Sequence, residues 1–513
     1  MNPPLTLPQK LILPSMSDLI VMTTFIVLIL ADPMIKSFDL FWHLRTGELM
    51  LNGIYPRTDL FSYTAFGNSW ILHEWGSQVI FAWIYQKTGF AGLIVLKSLV
   101  YALLCGLAFK LMLTKNIHIF LSFGLALLLV PVTAVGLTVR PHMFTNLFLV
   151  ILFWIYVSFR EKGNQKILWV LPVLFCLWIN LHGGFAIGFV FLGVCLGAEL
   201  IDSAFKNPED AAASQKLIQP LLTWSALSLG ACFINPNTVK GVLYPLMYLG
   251  DQMESNLLQE WAAPSMQSDM FFFVLLLFII AGLMFQKKKR PLYEIFLVLV
   301  FTVFAFSARR HIPVFAIVTI PIMANVWQAG ITDLWHTMEI NTGAGAKKYL
   351  NRVALYVRTR AEDFSVMEKK LCFHLMPVCA ILIMTGISLA VPDKLNIGLN
   401  EEKHPVEMVE HINAGNIHGN LFNQYRWGGF LLWAIPDQKV FIDGRMDVYQ
   451  KKISEPYKKI INLEPGWEAL IHEYGIRHIL VLKESRMALF LTHVSNDWVL
   501  EKETENACFF SRR

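Results

Sequence analysis

Apolar residues along this chain come in runs of roughly 17–22, the length of a bilayer-spanning helix, separated by short polar stretches. About eleven such segments can be drawn, at 17–33, 91–113, 117–138, 142–159, 167–181, 183–203, 217–234, 270–286, 291–307, 311–328 and 371–391. Basic residues crowd one set of alternate loops: Lys110 and Lys115; Arg160, Lys162 and Lys166; Lys206 and Lys216; Lys287, Lys288, Lys289 and Arg290; and 329–370, with seven more from Lys347 to Lys370. The positive-inside rule puts that set in the cytoplasm. The N-terminus is then inside and the C-terminus outside, as an odd helix count requires.

Three stretches break the pattern. Residues 34–90 form a long external loop whose end, 75–85, has the spacing of an amphipathic helix lying on the membrane surface. Residues 235–269 form a second external loop. Residues 392–513 form an external tail long enough for a small domain. In the tail, 439–442 and 478–482 read as strands, 468–474 and 485–494 as helices, and 498–510 as a closing hairpin. The expected fold is mainly α: a polytopic membrane domain over 1–391, followed by a small extracytoplasmic α/β domain over 392–513.

Composition narrows the function classes. Of 513 residues, 55% are apolar and only 16% charged, and mean hydropathy is +0.49. These values exclude a soluble cytosolic enzyme, a disordered chain and a fibre. A net charge of +5, concentrated in short loops, marks topology rather than a nucleic-acid partner. Six of the seven cysteines lie in apolar runs and no CxxC occurs, so no disulfide framework, zinc site or redox role is indicated. The apolar run at 19–30 lacks a small-residue cleavage site and reads as a retained helix rather than a signal peptide. No GxxxxGK[ST], GxGxxG or GxSxG is present, and His73-Glu74 has Ser77 where a zinc protease would have its second histidine.

The remaining polar residues at helix ends collect on one side. Asp39, His43 and Arg45, then Asp59, His73 and Glu74, lie in the first external loop. Arg140 and His142, Asn180 and His182, and Arg309, Arg310 and His311 occupy external turns. Charge near a bilayer is costly, and three of these arginines oppose the positive-inside trend. Each piece has an ordinary explanation. Asp39 could cap the helix that follows, His73-Glu74 could be plain loop, the arginines could hold lipid head groups, and Gly183-Gly184 could be a tight turn. Lys97, inside the second span, reads as snorkelling. Their convergence points instead to a polar site at the outer leaflet. Arginines there can hold a lipid-linked phosphate bidentately, and a carboxylate can take the proton of an attacking hydroxyl. That chemistry suits a polyprenyl-phosphate sugar.

The stretches DLFWHLRTG (39–47), HEW (73–75), RPH (140–142), WINLHGGF (178–185), NQYRWGGFLLW (423–433) and FIDGRMDVY (441–449) resemble a small bacterial membrane family. In element order the chain resembles the GT-C superfamily of membrane glycosyltransferases. That superfamily includes protein mannosyltransferases, aminoarabinose transferases and oligosaccharyltransferases.

The resemblance implies that Asp39 is the base or a metal ligand, with Glu74 as a second carboxylate and His73 assisting. Many members carry an adjacent acidic pair there; here Leu40 follows Asp39. Arg140, Arg309 and Arg310 would bind the phosphate, and His43, His142, Asn180, His182 and His311 would line the site. Trp427-Gly428-Gly429 and Asp443-Gly444-Arg445 read as tight turns. They also read as the part of the tail that covers the site, with Asp443 and Arg445 facing the membrane.

The implied activity is sugar transfer from a polyprenyl-phosphate donor to a glycan, lipid or protein acceptor at the outer face of a bacterial cytoplasmic (inner) membrane. A divalent cation, Mg²⁺ or Mn²⁺, is compatible with Asp39, His73 and Glu74 but is not specified by spacing. Two alternatives stay open: a non-catalytic assembly scaffold, and a lipid or glycan transporter. A transporter would call for midplane polar residues and inverted repeats, and none is seen.

Overall fold

The computed structural model of the chain describes residues 14–205, 208–247, 259–284, 290–341, 344–370, 375–415 and 417–513. Lys206 and Lys287 to Lys289, used above to orient the loops, lie outside them. Every expected apolar run carries a helix: α1 (Met16–Ala31), α3 (Trp75–Thr114), α4 (Ile119–Val132), α5 (His142–Lys162), α6 (Val170–Leu181), α7 (Phe185–Phe205), α8 (Pro208–Ala231), α10 (Met270–Met284), α11 (Leu292–Ser307), α12 (Ile312–Asn341) and α14 (Leu375–Ala390). Four stretches are long and apolar enough to cross a membrane alone: Trp75–Thr114, His142–Lys162, Phe185–Phe205 and Arg309–Thr332. Most of the other apolar helices are shorter. Three more helices, α2 (Leu40–Leu51), α9 (Thr238–Met247) and α13 (Ala344–Lys370), form within segments expected to be loops.

The surface helix expected at 75–85 and the span after it are one 40-residue helix, α3, broken at Gly89. There φ is +62°, a conformation that a side chain rarely tolerates, so the chain turns sharply between its amphipathic and apolar parts. Lys97 does not snorkel. Its ammonium is buried 2.5 Å from Asp32 at the end of α1, because that neighbouring carboxylate satisfies it inside the bundle. At the opposite end of the bundle Lys115 bridges Glu161 (3.0 Å) and Glu294 (2.8 Å), and Arg160 pairs with Glu199 at 2.5 Å. These pairs gather the ends of α3, α5, α7 and α11.

The tail builds a four-stranded sheet in the order β3-β4-β6-β5, from β3 (Asn420–Asn423), β4 (Ile476–Leu482), β5 (Trp498–Glu503) and β6 (Ala507–Arg512). β3 and β4 are parallel, and the β5–β6 hairpin adds antiparallel to β4. Helices α15 (Val406–Ala414), α16 (Gly428–Ala434), α17 (Met446–Ile461), α18 (Trp467–Glu473) and α19 (Arg486–His493) complete it. The expected strand at 439–442 does not form. Val440 makes only single bridges, to Ser62 on one side and Leu421 on the other. The segment is wedged between the 34–90 loop and β3 and has no room to extend a ladder.

That wedge makes the first loop and the tail one packed unit. Val440 N–H donates to Phe61 O and Tyr63 N–H donates to Val440 O. Thr64 Oγ1 donates to Phe441 O at 2.5 Å. Phe41 of α2 packs edge-on against Phe430. Two glycines read as turn formers serve close approach instead. A Cβ on Gly428 would sit 2.0 Å from Ile442 O, and one on Gly444 would sit 2.3 Å from Asp39 Oδ1. Finally β1 (Met34–Ile35), leaving α1, pairs in parallel with β2 (Gly398–Leu399), just beyond α14. Both helices therefore release the chain at the same end of the bundle.

Candidate active site

Glu74 stands just before α3, makes no side-chain cap on it, and is ringed by imidazoles. Its Oε1 lies 3.4 Å from His182 Nε2 and 3.6 Å from His73 Nε2, and its Oε2 lies 3.9 Å from His43 Nε2. The hydrogen bonds behind each ring fix its tautomer. Trp178 Nε1–H donates to Thr145 Oγ1 at 2.7 Å, so the threonine hydroxyl keeps its own proton for His182 Nδ1, 2.7 Å away. Gly184 N–H donates to the same nitrogen at 3.0 Å. His182 therefore turns Nε2–H toward Glu74. At 3.4 Å the Gln78 side-chain amide approaches His43 Nδ1, with the same consequence.

His73 differs. Its Nδ1 faces Ile71 O at 3.3 Å and the ring stacks on Tyr244, so both nitrogens face oxygens and the imidazolium is favoured. Burial opposes that charge, but Glu74 and then Asp447 hold the His73 pKa above its ordinary value. Burial would also raise Glu74; the His73 charge and hydrogen bond, with His43 and His182 behind them, bring it well below the usual range. Burial, helped by Arg140 at His43 and by Arg310 at His182, outweighs Glu74 and holds both imidazoles down to about 3, neutral.

Beside this ring lies a second cluster. Arg140 reaches from the start of α5 to Asp39 at 2.5 Å and to Glu260 at 2.5 Å. Asp39 makes no side-chain cap on α2, so its carboxylate is given to the arginine rather than to the helix. Burial raises the Asp39 pKa above its ordinary value, against the pull of Arg140. Glu260 goes the other way: burial raises it, but Arg140 and its hydrogen bonds bring it down to about 2. Arg310 lies over the Trp261 ring at 4.4 Å, with Glu260 the leading charge acting on it.

The structure thus gathers Asp39, His43, His73, Glu74, Arg140, His182 and Arg310, with His142 beside them donating from Nε2 to Gly136 O. Other sequence candidates are tied elsewhere. Arg309 pairs with the buried Asp269 at 2.9 Å, and His311 bonds Phe304 O. Asn180 spends its amide on Cys176 O, Ile234 O and Trp75 Nε1–H. Asp443 and Arg445 form a sealed pair with Asp59 and Tyr449, and the Arg445 guanidinium sits in the corner made by Phe61 and Trp70, at 4.7 and 4.6 Å. They tie the tail to the first loop.

Glu260, Thr145, Tyr244 and Tyr425 belong to the site's surroundings and carry no spacing that singles them out. The arrangement does not suit a divalent cation. Among the described residues no three His, Cys, Asp or Glu side chains converge as ligands. The candidate donors are also engaged: Asp39 by Arg140, Glu74 by an imidazolium, and the neutral imidazoles by N–H groups already directed at it.

Neither protein-family models nor curated protein sequences give a match to this chain. Solved structures do. The apo oligosaccharyltransferase of Archaeoglobus fulgidus superposes with a TM-score of 0.55 at 11% identity, over 91% of this chain and 69% of that one. The same enzyme, AglB, with an inhibitory peptide and dolichol-phosphate, gives 0.54 at 11% identity over the same shares. ArnT of Cupriavidus metallidurans, bound to undecaprenyl phosphate, gives 0.46 at 11% identity, over 96% of this chain and 97% of that one. The chain shares its fold with the Archaeoglobus fulgidus oligosaccharyltransferase.

Proposed function

We propose that this protein transfers a sugar from a polyprenyl-phosphate donor to an acceptor hydroxyl, at the outer face of a bacterial cytoplasmic membrane. The observation that carries this reading is the pairing of opposite shifts at one site: Asp39 raised, Glu74 lowered. A base works best when its pKa is lifted toward the working pH, so Asp39 is the base. Glu74, held as a firm anion, orients the three histidines. Fold likeness to an enzyme whose structure holds dolichol-phosphate supports a lipid-phosphate donor.

In the step, the acceptor oxygen bonds to the anomeric carbon and its proton passes to Asp39. The bond from that carbon to the phosphate oxygen breaks, with the electron pair staying on the lipid phosphate. Arg140 and Arg310 are the cations placed to stabilise that leaving charge, Arg140 exchanging a carboxylate for phosphate oxygens. Residues 392–513 and the first loop act as one cover over this chemistry.

The test is a mass-spectrometric profile of polyprenyl-phosphate-linked sugars in host membranes carrying wild type or Asp39→Asn at equal levels. Accumulation of one lipid-linked sugar in the variant alone is the expected result. Matching profiles would move a scaffold role to the front.

A further inference from the structure

Tyr425 belongs to the tail, yet its hydroxyl belongs to the site. The residue is 8% exposed, and its Oη has no hydrogen-bond partner among the described residues. A buried hydroxyl without a partner costs free energy in the unliganded protein. Its position is firm, since Tyr425 N–H is held by Tyr457 Oη at 2.8 Å. The short turn Tyr425–Trp427 rests against the start of α2: Arg426 covers the Phe38 ring at 5.6 Å, and a Cβ on the nearby Gly429 would meet Phe38 O at 2.8 Å. The charges acting on the hydroxyl are those of the site, Asp39 foremost, then Asp443 and Glu260, with Arg140 opposing.

A second donor sits beside the same carboxylate. Trp42 Nε1 is buried, and its N–H is turned toward Asp39, whose carboxyl it helps to hold down. A single atom placed on Gly444 would lie 2.3 Å from Asp39 Oδ1 and 3.1 Å from Trp42 Nε1, so the two are neighbours.

A carboxylate and one unspent hydroxyl donor beside it match one ligand group. An alcohol gives its proton to the carboxylate and fills one lone pair from Tyr425, which leaves the other free to attack. A phosphate offers only acceptor oxygens and would face Asp39, Asp443 and Glu260 together. We propose that Tyr425 seats the acceptor hydroxyl against Asp39, with Trp42 holding the carboxylate in place, so that the tail supplies part of the acceptor-binding site. This rests on the transferase reading above.

Tyr425→Phe removes only the orphaned oxygen, which separates function from stability. The full-length protein and host membranes serve for both readouts. The lost hydrogen bond should slow transfer about three- to tenfold. Tyr425→Phe should therefore accumulate the same lipid-linked sugar as Asp39→Asn, to a smaller extent. Its melting temperature, measured on purified protein, should equal or exceed that of wild type. Accumulation with Asp39→Asn but none with Tyr425→Phe would overturn the proposal and leave the transferase reading standing. A melting temperature lowered by several degrees would overturn it too, by showing that the hydroxyl is bonded within the protein. Accumulation with neither variant would remove the transferase reading and this proposal with it.

Discussion

Arg140 and Arg445 each lie between two carboxylates at about the same distances, 2.5 and 2.5 Å for one, 2.7 and 2.6 Å for the other. Their surroundings differ. The Arg140 side chain is 25% exposed and so, nearly, are Asp39 and Glu260. Arg445, Asp59 and Asp443 are 0% exposed, with Phe61 and Trp70 packed against the guanidinium. Two triads of the same chemistry therefore do opposite work. A sealed triad cannot exchange a carboxylate for a ligand, because an uncompensated charge in that setting has nowhere to find water. A partly open one can. Burial, more than residue type, separates adhesive from site.

The largest expected effect is on the open side. Asp39→Asn should lower transfer about 10²–10⁴-fold while the melting temperature holds. Arg445→Ala should come next and read in the opposite channel. Leaving Asp59 and Asp443 buried and unpaired should cost about 3–5 kcal/mol of stability, seen as a lower melting temperature and as proteolysis of the tail. Arg140→Ala should slow transfer roughly ten- to a hundredfold, as expected for a lost charged hydrogen bond, with a smaller thermal shift than Arg445→Ala. Equal thermal losses in the two arginine variants would erase the distinction drawn here.

Smaller effects test the histidine ring. Thr145→Val removes the proton that fixes the His182 tautomer and should slow transfer about three- to tenfold, while Thr145→Ser keeps it. Stability against pH gives the finest test. His43 and His182 have folded values near about 3 against an ordinary 6.5. As pH falls from 6.5 toward 3 the unfolded chain takes up protons that the folded one refuses, so stability is complete above 6.5 and declines through that window. His43→Gln should flatten the decline measured by thermal melting.

The sequence made the helices legible because a span must satisfy its backbone internally and be apolar for about twenty residues. It also made legible that Asp39, His73, Glu74, Arg140 and His182 lie near one another, because polar groups at helix ends on one face have few places to go. It could not separate Arg140 from Arg445. Both sit a few residues from a glycine at a turn, and the burial of Arg445 is decided by Phe61 and Trp70, rings from the other end of the chain. Glu260 was silent because nothing local marks a loop glutamate whose partner is 120 residues away. The strand expected at 439–442 failed for a related reason: its β-forming residues are spent on two unrelated neighbours at once.

The parallel pairing of β1 with β2 has a consequence in time. Contacts between the first loop and the tail close over about 390 residues of chain, and contacts so distant in sequence form late. During synthesis the loop bearing Asp39 and Glu74 is made long before its cover exists. Assembly is therefore ordered: the last segment made finishes the first one delivered, and a chain halted before α14 is inserted leaves its earliest loop uncovered.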